Sequence, residues 1–118
     1  MNRKQLGKYS KAKGARYERD LANKFKVVGF KDARRSVQYN GKQVEGQADI
    51  VGVPGLHIES KAVERLNIDQ AYFQAYKDAD AKVIPIVAYK KQKKSWKVVL
   101  DLDDFLKIYS IYKKDFIK

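Results

Sequence analysis

The stretch Gln47-Ala48-Asp49-Ile50-Val51-Gly52-Val53-Pro54-Gly55-Leu56-His57-Ile58-Glu59-Ser60-Lys61-Ala62 reads as two strands, 47–53 and 56–62, joined by a tight Pro54-Gly55 turn. Alternation along the second strand puts Leu56, Ile58, Ser60 and Ala62 on one face and His57, Glu59 and Lys61 on the other. Asp49 lies on the neighbouring strand, inside Ala48-Asp49-Ile50-Val51, where strand propensity disfavours an acid.

Upstream, Tyr17, Leu21, Phe25 and Val28 form an apolar stripe at helical spacing, which predicts a helix from about Lys11 to Val28, with Gly29 as its C-terminal cap. A short extended segment, 31–39, follows, and Asn40-Gly41 signals a turn. Downstream, Asn67 is placed to cap a helix over 68–79 that buries Ile68, Ala71, Tyr72, Ala75 and Ala79. The apolar run 83–89 predicts a strand covered on both faces. Pro85 within it suggests a bulge or an edge position. A basic loop, Lys90-Lys91-Gln92-Lys93-Lys94, leads to a strand over 95–100. Asp101 is placed to cap a last helix with the stripe Leu102, Phe105, Leu106 and Tyr109 and with acids in its first turn. The order is αβββαββα, one α/β layer.

At 118 residues and 44% hydrophobic, the chain suits a single domain over 1–118. A basic, flexible arm over about 1–10 and a basic tail over 113–118 flank it. No stretch approaches the roughly 18 to 20 apolar residues of a membrane span, and nothing resembles a secretory signal. The absence of cysteine excludes disulfides and thiolate catalysis and fits a cytoplasmic protein. With 26 Lys and Arg against 14 Asp and Glu, a net charge of +12 favours a polyanionic partner, nucleic acid being the commonest. Charge alone is silent on catalysis.

The acids are where chemistry enters. Mg²⁺ prefers oxygen ligands and usually takes one or two protein carboxylates, with water and substrate phosphate completing the shell. Asp49 and Glu59, on adjacent strands, are a candidate pair. Lys61, on the same face as Glu59, is a candidate to orient a water or to stabilise charge on a phosphate. The competing readings are a turn acid for Asp49 and an exposed ion pair for Glu59 and Lys61. Glu18 extends the apolar stripe of the first helix, where a charge needs a partner or a function; a dipole-compensating acid is the alternative. Arg19, Arg34 and Arg35 suit bidentate phosphate contact or simple solvation. Gln70 reads first as the N3 member of a capping box, His57 as a weak signal, and Tyr72, Phe73 and Tyr76 as core or interface aromatics.

Taken together, Gly14-Ala15-Arg16-Tyr17-Glu18-Arg19 on a helix, then Arg35-Ser36, Asp49-Ile50-Val51 and Ile58-Glu59-Ser60-Lys61, resemble the archaeal-type Holliday junction resolvases of the PD-(D/E)xK nuclease superfamily. The likeness runs from about Lys11 to Tyr89. It implies a restriction-endonuclease-like core, a central mixed five-stranded sheet flanked by helices. It implies a Mg²⁺-dependent endodeoxyribonuclease, Mn²⁺ substituting, with Asp49, Glu59 and Glu18 at the metal, a backbone carbonyl near Ser60 adding a ligand, and Lys61 as the catalytic lysine. Arg16, Arg19, Arg34, Arg35 and Ser36 would contact DNA, and a homodimer would cut opposed strands of a four-way junction. No small-molecule cofactor is implied. Two departures stand out: Ala48 replaces the proline of the superfamily's name, and the 37–46 segment is long and polar. Other readings stay open: a nuclease of the same fold acting on flap, branched or duplex DNA, or a non-catalytic basic DNA-binding module.

Overall fold

The computed structural model describes residues 2–36, 38–39, 42–43 and 47–116. Its elements are α1 (Arg3–Val27), β1 (Arg34–Arg35), β2 (Gln38–Tyr39), β3 (Lys42–Gln43), β4 (Ile50–Val51), β5 (Leu56–Lys61), α2 (Ile68–Asp78), β6 (Ile84–Tyr89), β7 (Lys97–Val99), α3 (Leu102–Tyr112) and a final 3-10 turn, Lys113–Asp115. Five strands form one sheet in the order β1-β4-β5-β6-β7. The β1–β4, β4–β5 and β6–β7 pairs are antiparallel, whereas β5 and β6, joined through α2, are parallel. The molecule is therefore α/β, a mixed five-stranded sheet flanked by helices, as expected. A separate hairpin, β2–β3, is inserted between β1 and β4, with Tyr39 opposite Lys42. The turn expected at Asn40-Gly41 lies outside the described residues.

The core forms because the alternating strands turn one set of apolar side chains to each helix. Ile50, Ile58, Ile86 and Ala88 meet Leu21 and Ala22 of α1, with Phe25, Leu56 and Trp96 packed around them. On the other face Val87 packs against Ala71 and Ala75 of α2. Trp96 also donates its indole N–H to Asp20 (2.8 Å), tying the segment before β7 to α1. No helix among the described residues is long and apolar enough to cross a membrane.

Several element boundaries and burial patterns differ from expectation. α1 starts at Arg3, two turns before Lys11 and within the expected arm. Asn2 and Gln5 form a reciprocal capping box, the Gln5 N–H donating to Asn2 Oδ1 (2.8 Å) and the Asn2 N–H to Gln5 Oε1 (3.1 Å). Its C-terminus is as read: the Gly29 and Phe30 N–H groups donate to the Lys26 and Phe25 carbonyls, and the Phe25 and Phe30 rings pack edge-on. Val28, however, is exposed. On α2 only Ala71 and Ala75 are buried; Ile68 is exposed, and Tyr72 and Ala79 are half-buried. Asp101 occupies the N-cap of α3 without a side-chain hydrogen bond, and α3 buries none of its residues.

Pro85 sits in β6 at no hydrogen-bonding cost. The Ile84 N–H donates toward β5, to the Gly55 carbonyl (2.9 Å), so position 85 faces the other way. There β7 pairs only from Val87 onward. The missing N–H falls where no strand waits for it.

Candidate active site

Asp49 and Glu59 are brought together by register. Ile50 lies opposite Ile58, so the preceding and following residues, Asp49 and Glu59, face each other across β4 and β5 on the opposite side of the sheet from that isoleucine pair. Three backbone bonds hold Asp49: its N–H donates to the Ile58 carbonyl (2.9 Å), its carbonyl accepts from the Ser36 N–H (2.9 Å), and its carboxylate accepts from the Ser60 N–H (2.8 Å). The carboxylate is thus aimed before any ligand arrives.

Glu59 is 5% exposed. Burial, and then the like charge and hydrogen bonding of Asp49 beside it, push its carboxyl up to about 8, against the pull of Lys61. Lys61 lies two residues along the same face of β5, so its ammonium acts on Glu59 directly. His57, also buried, places Nε2 2.9 Å from Glu59 Oε1, with a proton shared between them. Burial lowers the His57 pKa, and the negative charges of Asp78, Asp49 and Asp80 only partly oppose it. Sequence reasoning gave His57 too little weight; its signal was the shared face with Glu59 at a two-residue spacing.

A buried carboxyl, forced toward its protonated form, beside a half-buried one is the donor set of a hard divalent cation. Asp49 and Glu59 fit Mg²⁺ on those grounds. Glu18 is placed elsewhere. Its Oε2 accepts from Arg35 Nε at 2.8 Å, and Arg35 lies opposite Ile50, on the α1 side of the sheet. Among the described residues no group of three His, Cys, Asp or Glu side chains has metal-holding geometry. The structure therefore joins Asp49, Glu59, Lys61 and His57, and leaves Glu18 as the partner of Arg35.

Of the expected DNA contacts, Arg19, Arg34 and Arg35 line one cavity of about 230 Å³ with Asn23 and Lys26. Arg34 also donates from Nη1 to the Asp32 carbonyl (2.8 Å). Arg16 is exposed beside the Tyr17 ring. Ser36 is buried and its backbone holds Asp49, so it faces the fold rather than solvent. Gln70 is the N3 residue of α2, its N–H donating to Asn67 Oδ1 (3.1 Å). A further cavity, of about 560 Å³, lies between α2 and α3, and none of the candidate catalytic residues lines it.

The carboxyl shifts set a pH dependence for the cation-free protein. Glu59, raised in the fold, contributes stability that is complete below its unfolded value near 4.5 and lost as pH climbs to about 8. His57, lowered in the fold, contributes stability above its ordinary 6.5 that is lost as pH falls. Between pH 6.5 and 8 only the first effect operates. In chelator, stability should fall across that window by up to about 1.4 kcal/mol per pH unit, read by denaturant unfolding. The Glu59→Gln variant should be flat there, and a wild type equally flat would contradict the burial of Glu59 beside Asp49.

No known protein family, curated protein or solved structure matches this chain.

Proposed function

We propose that the protein is a Mg²⁺-dependent structure-specific DNA endonuclease with a restriction-endonuclease-like core, most closely a resolvase of four-way junctions. The observation that carries this reading is the Asp49–Glu59 pair, aimed across adjacent strands with Lys61 on the same face. The net charge of +12 supports a nucleic-acid partner.

Asp49 and Glu59 hold the cation in this reading, which when bound would neutralise charge at the scissile phosphate and help generate hydroxide near neutral pH. The Ser60 N–H fixes Asp49. His57 fixes Glu59 and, being neutral, adds no charge to repel the ion. Lys61 offers its ammonium to the charge that develops on the phosphate. The Arg19–Arg34–Arg35 cavity holds backbone phosphate without reading bases, as an enzyme acting at any sequence requires. Glu18 serves it by orienting Arg35, a positioning role in place of a metal ligand.

A dimer completes the reading, because a junction has two opposed strands to cut. Eight large apolar residues from Leu102 to Phe116 are each between 43% and 69% exposed, leaving roughly 900 Å² uncovered, the size of one partner's share of a standard interface. In a strongly basic chain, residues 101–116 carry Asp101, Asp103, Asp104 and Asp115 against Lys107, Lys113 and Lys114, so this surface is close to neutral and two copies can meet here with little repulsion. Wild type should sediment at twice the chain mass, and Phe105→Lys with Tyr109→Lys as a monomer. Monomeric wild type would overturn the dimer.

The substrate is tested by cleavage of a four-way junction against linear duplex of equal length. Faster cutting of the junction, in opposed strands, is expected. Equal rates would keep the nuclease and remove the resolvase. Tight binding with no cutting would favour a non-catalytic DNA-binding module.

A further inference from the structure

We infer a second backbone-phosphate site, formed by Lys13, Arg16 and Lys90 around the ring of Tyr17, on the α1 side of the sheet end where β5 finishes. Three cations crowd one aromatic ring: Lys90 Nζ lies 5.0 Å from its centroid, Lys13 Nζ 5.6 Å and the Arg16 guanidinium 5.7 Å. Each is attracted to the π face, yet the three repel one another. Among the described residues none of the three is ion-paired. The nearest acids in sequence, Glu18 and Asp20, are engaged by Arg35 Nε (2.8 Å) and by the Trp96 indole N–H (2.8 Å). Three unpaired cations held in one place by a half-buried ring form a preorganised cradle for a doubly coordinated phosphodiester oxygen pair. The ring is held in turn by Trp96, edge-on at 6.2 Å.

The position of the cluster argues for a nucleic-acid strand rather than a free anion. The Lys90 N–H donates to the Lys61 carbonyl (3.0 Å), and Tyr89 lies opposite Lys61 in the parallel register. Alternation turns Lys61 to the α2 side, with Glu59, and the next position, Lys90, to the α1 side. The two lysines thus flank the sheet at the end where β5 and β6 finish. A strand whose phosphate reaches Lys61 and Glu59 continues over that end of the sheet onto Lys90 and Tyr17. The Arg19–Arg34–Arg35 cavity is built on α1 and β1, and its Arg19 follows Arg16 by less than one turn of α1, so it engages the next phosphates of the same nucleic acid. The two sites extend one another along α1, a layout suited to a continuous stretch of backbone phosphates.

This inference rests on the nucleic-acid partner proposed above, but not on cleavage, and the test separates them. Binding of a fluorescent four-way junction in chelator is measured by anisotropy across a salt series for wild type, Lys13→Gln, Lys90→Gln, their double variant and, as a control in the exposed turn before β6, Lys82→Gln. Each cluster lysine removed should lower the magnitude of the salt slope by about 0.9 and weaken binding several-fold at moderate salt. The control should match wild type. An unchanged slope in the double variant, with wild-type binding intact, overturns the site while leaving the nuclease reading standing. No junction binding by wild type at any salt overturns both. Inorganic phosphate competing as well as a single-stranded oligonucleotide would overturn the strand and leave only an anion site.

Discussion

Glu59→Gln is expected to lower Mg²⁺-dependent DNA cleavage by on the order of a thousandfold while raising the stability of the cation-free protein at pH 8. The two effects have one cause. Glu59 is buried beside Asp49, and its ionised form is costly unless a cation stands between them. A neutral isostere removes that cost together with the charge that would hold the ion. Asp49→Asn should behave alike in cleavage, because its carboxylate is already fixed by the Ser60 N–H and the amide oxygen can keep that bond. A merely structural acid gives the opposite signature, since deleting it would lower stability and leave any activity untouched. Thermal unfolding in chelator and cleavage in Mg²⁺, run on the same preparations, distinguish them. Glu59→Ala would be less informative, because the cavity it leaves confounds the stability reading.

Gly52→Ala is expected to destabilise the fold by about 3 kcal/mol or more, lowering Tm by roughly 10 °C or more for a domain of this size. Gly52 has a φ of +88° and sits directly against the loop that precedes β1. A methyl there would overlap the Asp32 carbonyl oxygen and crowd the Ala33 nitrogen, both of them backbone. Neither can rotate away. Ala33 is fully buried under the same loop, so relief would have to displace β1, and with it the Ser36–Asp49 bond. Gly55 provides the comparison. Its φ is +87°, but a methyl there meets open space, so Gly55→Ala should cost only about 1 kcal/mol. Equal costs in the two variants would show that backbone conformation, and not the contact with Asp32, decides the effect. Cleavage by Gly52→Ala, where enough folds to measure, should fall through misplacement of Asp49.

Local chemistry made most of the architecture readable. Pro54-Gly55, the alternation of 56–62 and the apolar run through β6 each point to one conformation at every level, from propensity to burial. Asp49 and Glu59 were readable as neighbours on adjacent strands but not as an opposed pair: a two-residue turn at Pro54-Gly55 would set Asp49 opposite Ser60, whereas Ile50 pairs with Ile58 and so brings Asp49 opposite Glu59. What failed depended on geometry that spacing does not encode. α1 was started too late because Arg3 to Lys11 has no apolar period, and the stronger signal, the Asn2-Arg3-Lys4-Gln5 capping box, is polar. Glu18 was assigned to the acids because a stripe position looks inward. The sheet, however, has two faces, and the residue opposite Glu18 across the α1 side is Arg35. α3 reads as a core helix, yet its stripe is exposed in the single chain. Periodicity reports that a face needs cover and says nothing of what covers it.

These placements give the protein a division of labour. The α2 side of the sheet carries the acids, His57 and Lys61. The α1 side carries the cations, from the end of β5 and β6 along α1 to β1, and α3 carries exposed apolar surface that the proposed dimer would cover. Backbone contacts of this kind give binding that falls steeply with salt and has little base preference, so under the proposed function the shape of the DNA would decide the substrate.

The central claim, that Asp49 and Glu59 form the metal centre of a nuclease, is tested most directly by digesting an end-labelled four-way junction. Wild type and Asp49→Asn are compared, each with Mg²⁺ and with chelator. Paired nicks in opposed strands, given by wild type in Mg²⁺ and lost on substitution or chelation, are the predicted result. Binding without cutting by wild type in either Mg²⁺ or Mn²⁺ would contradict the account.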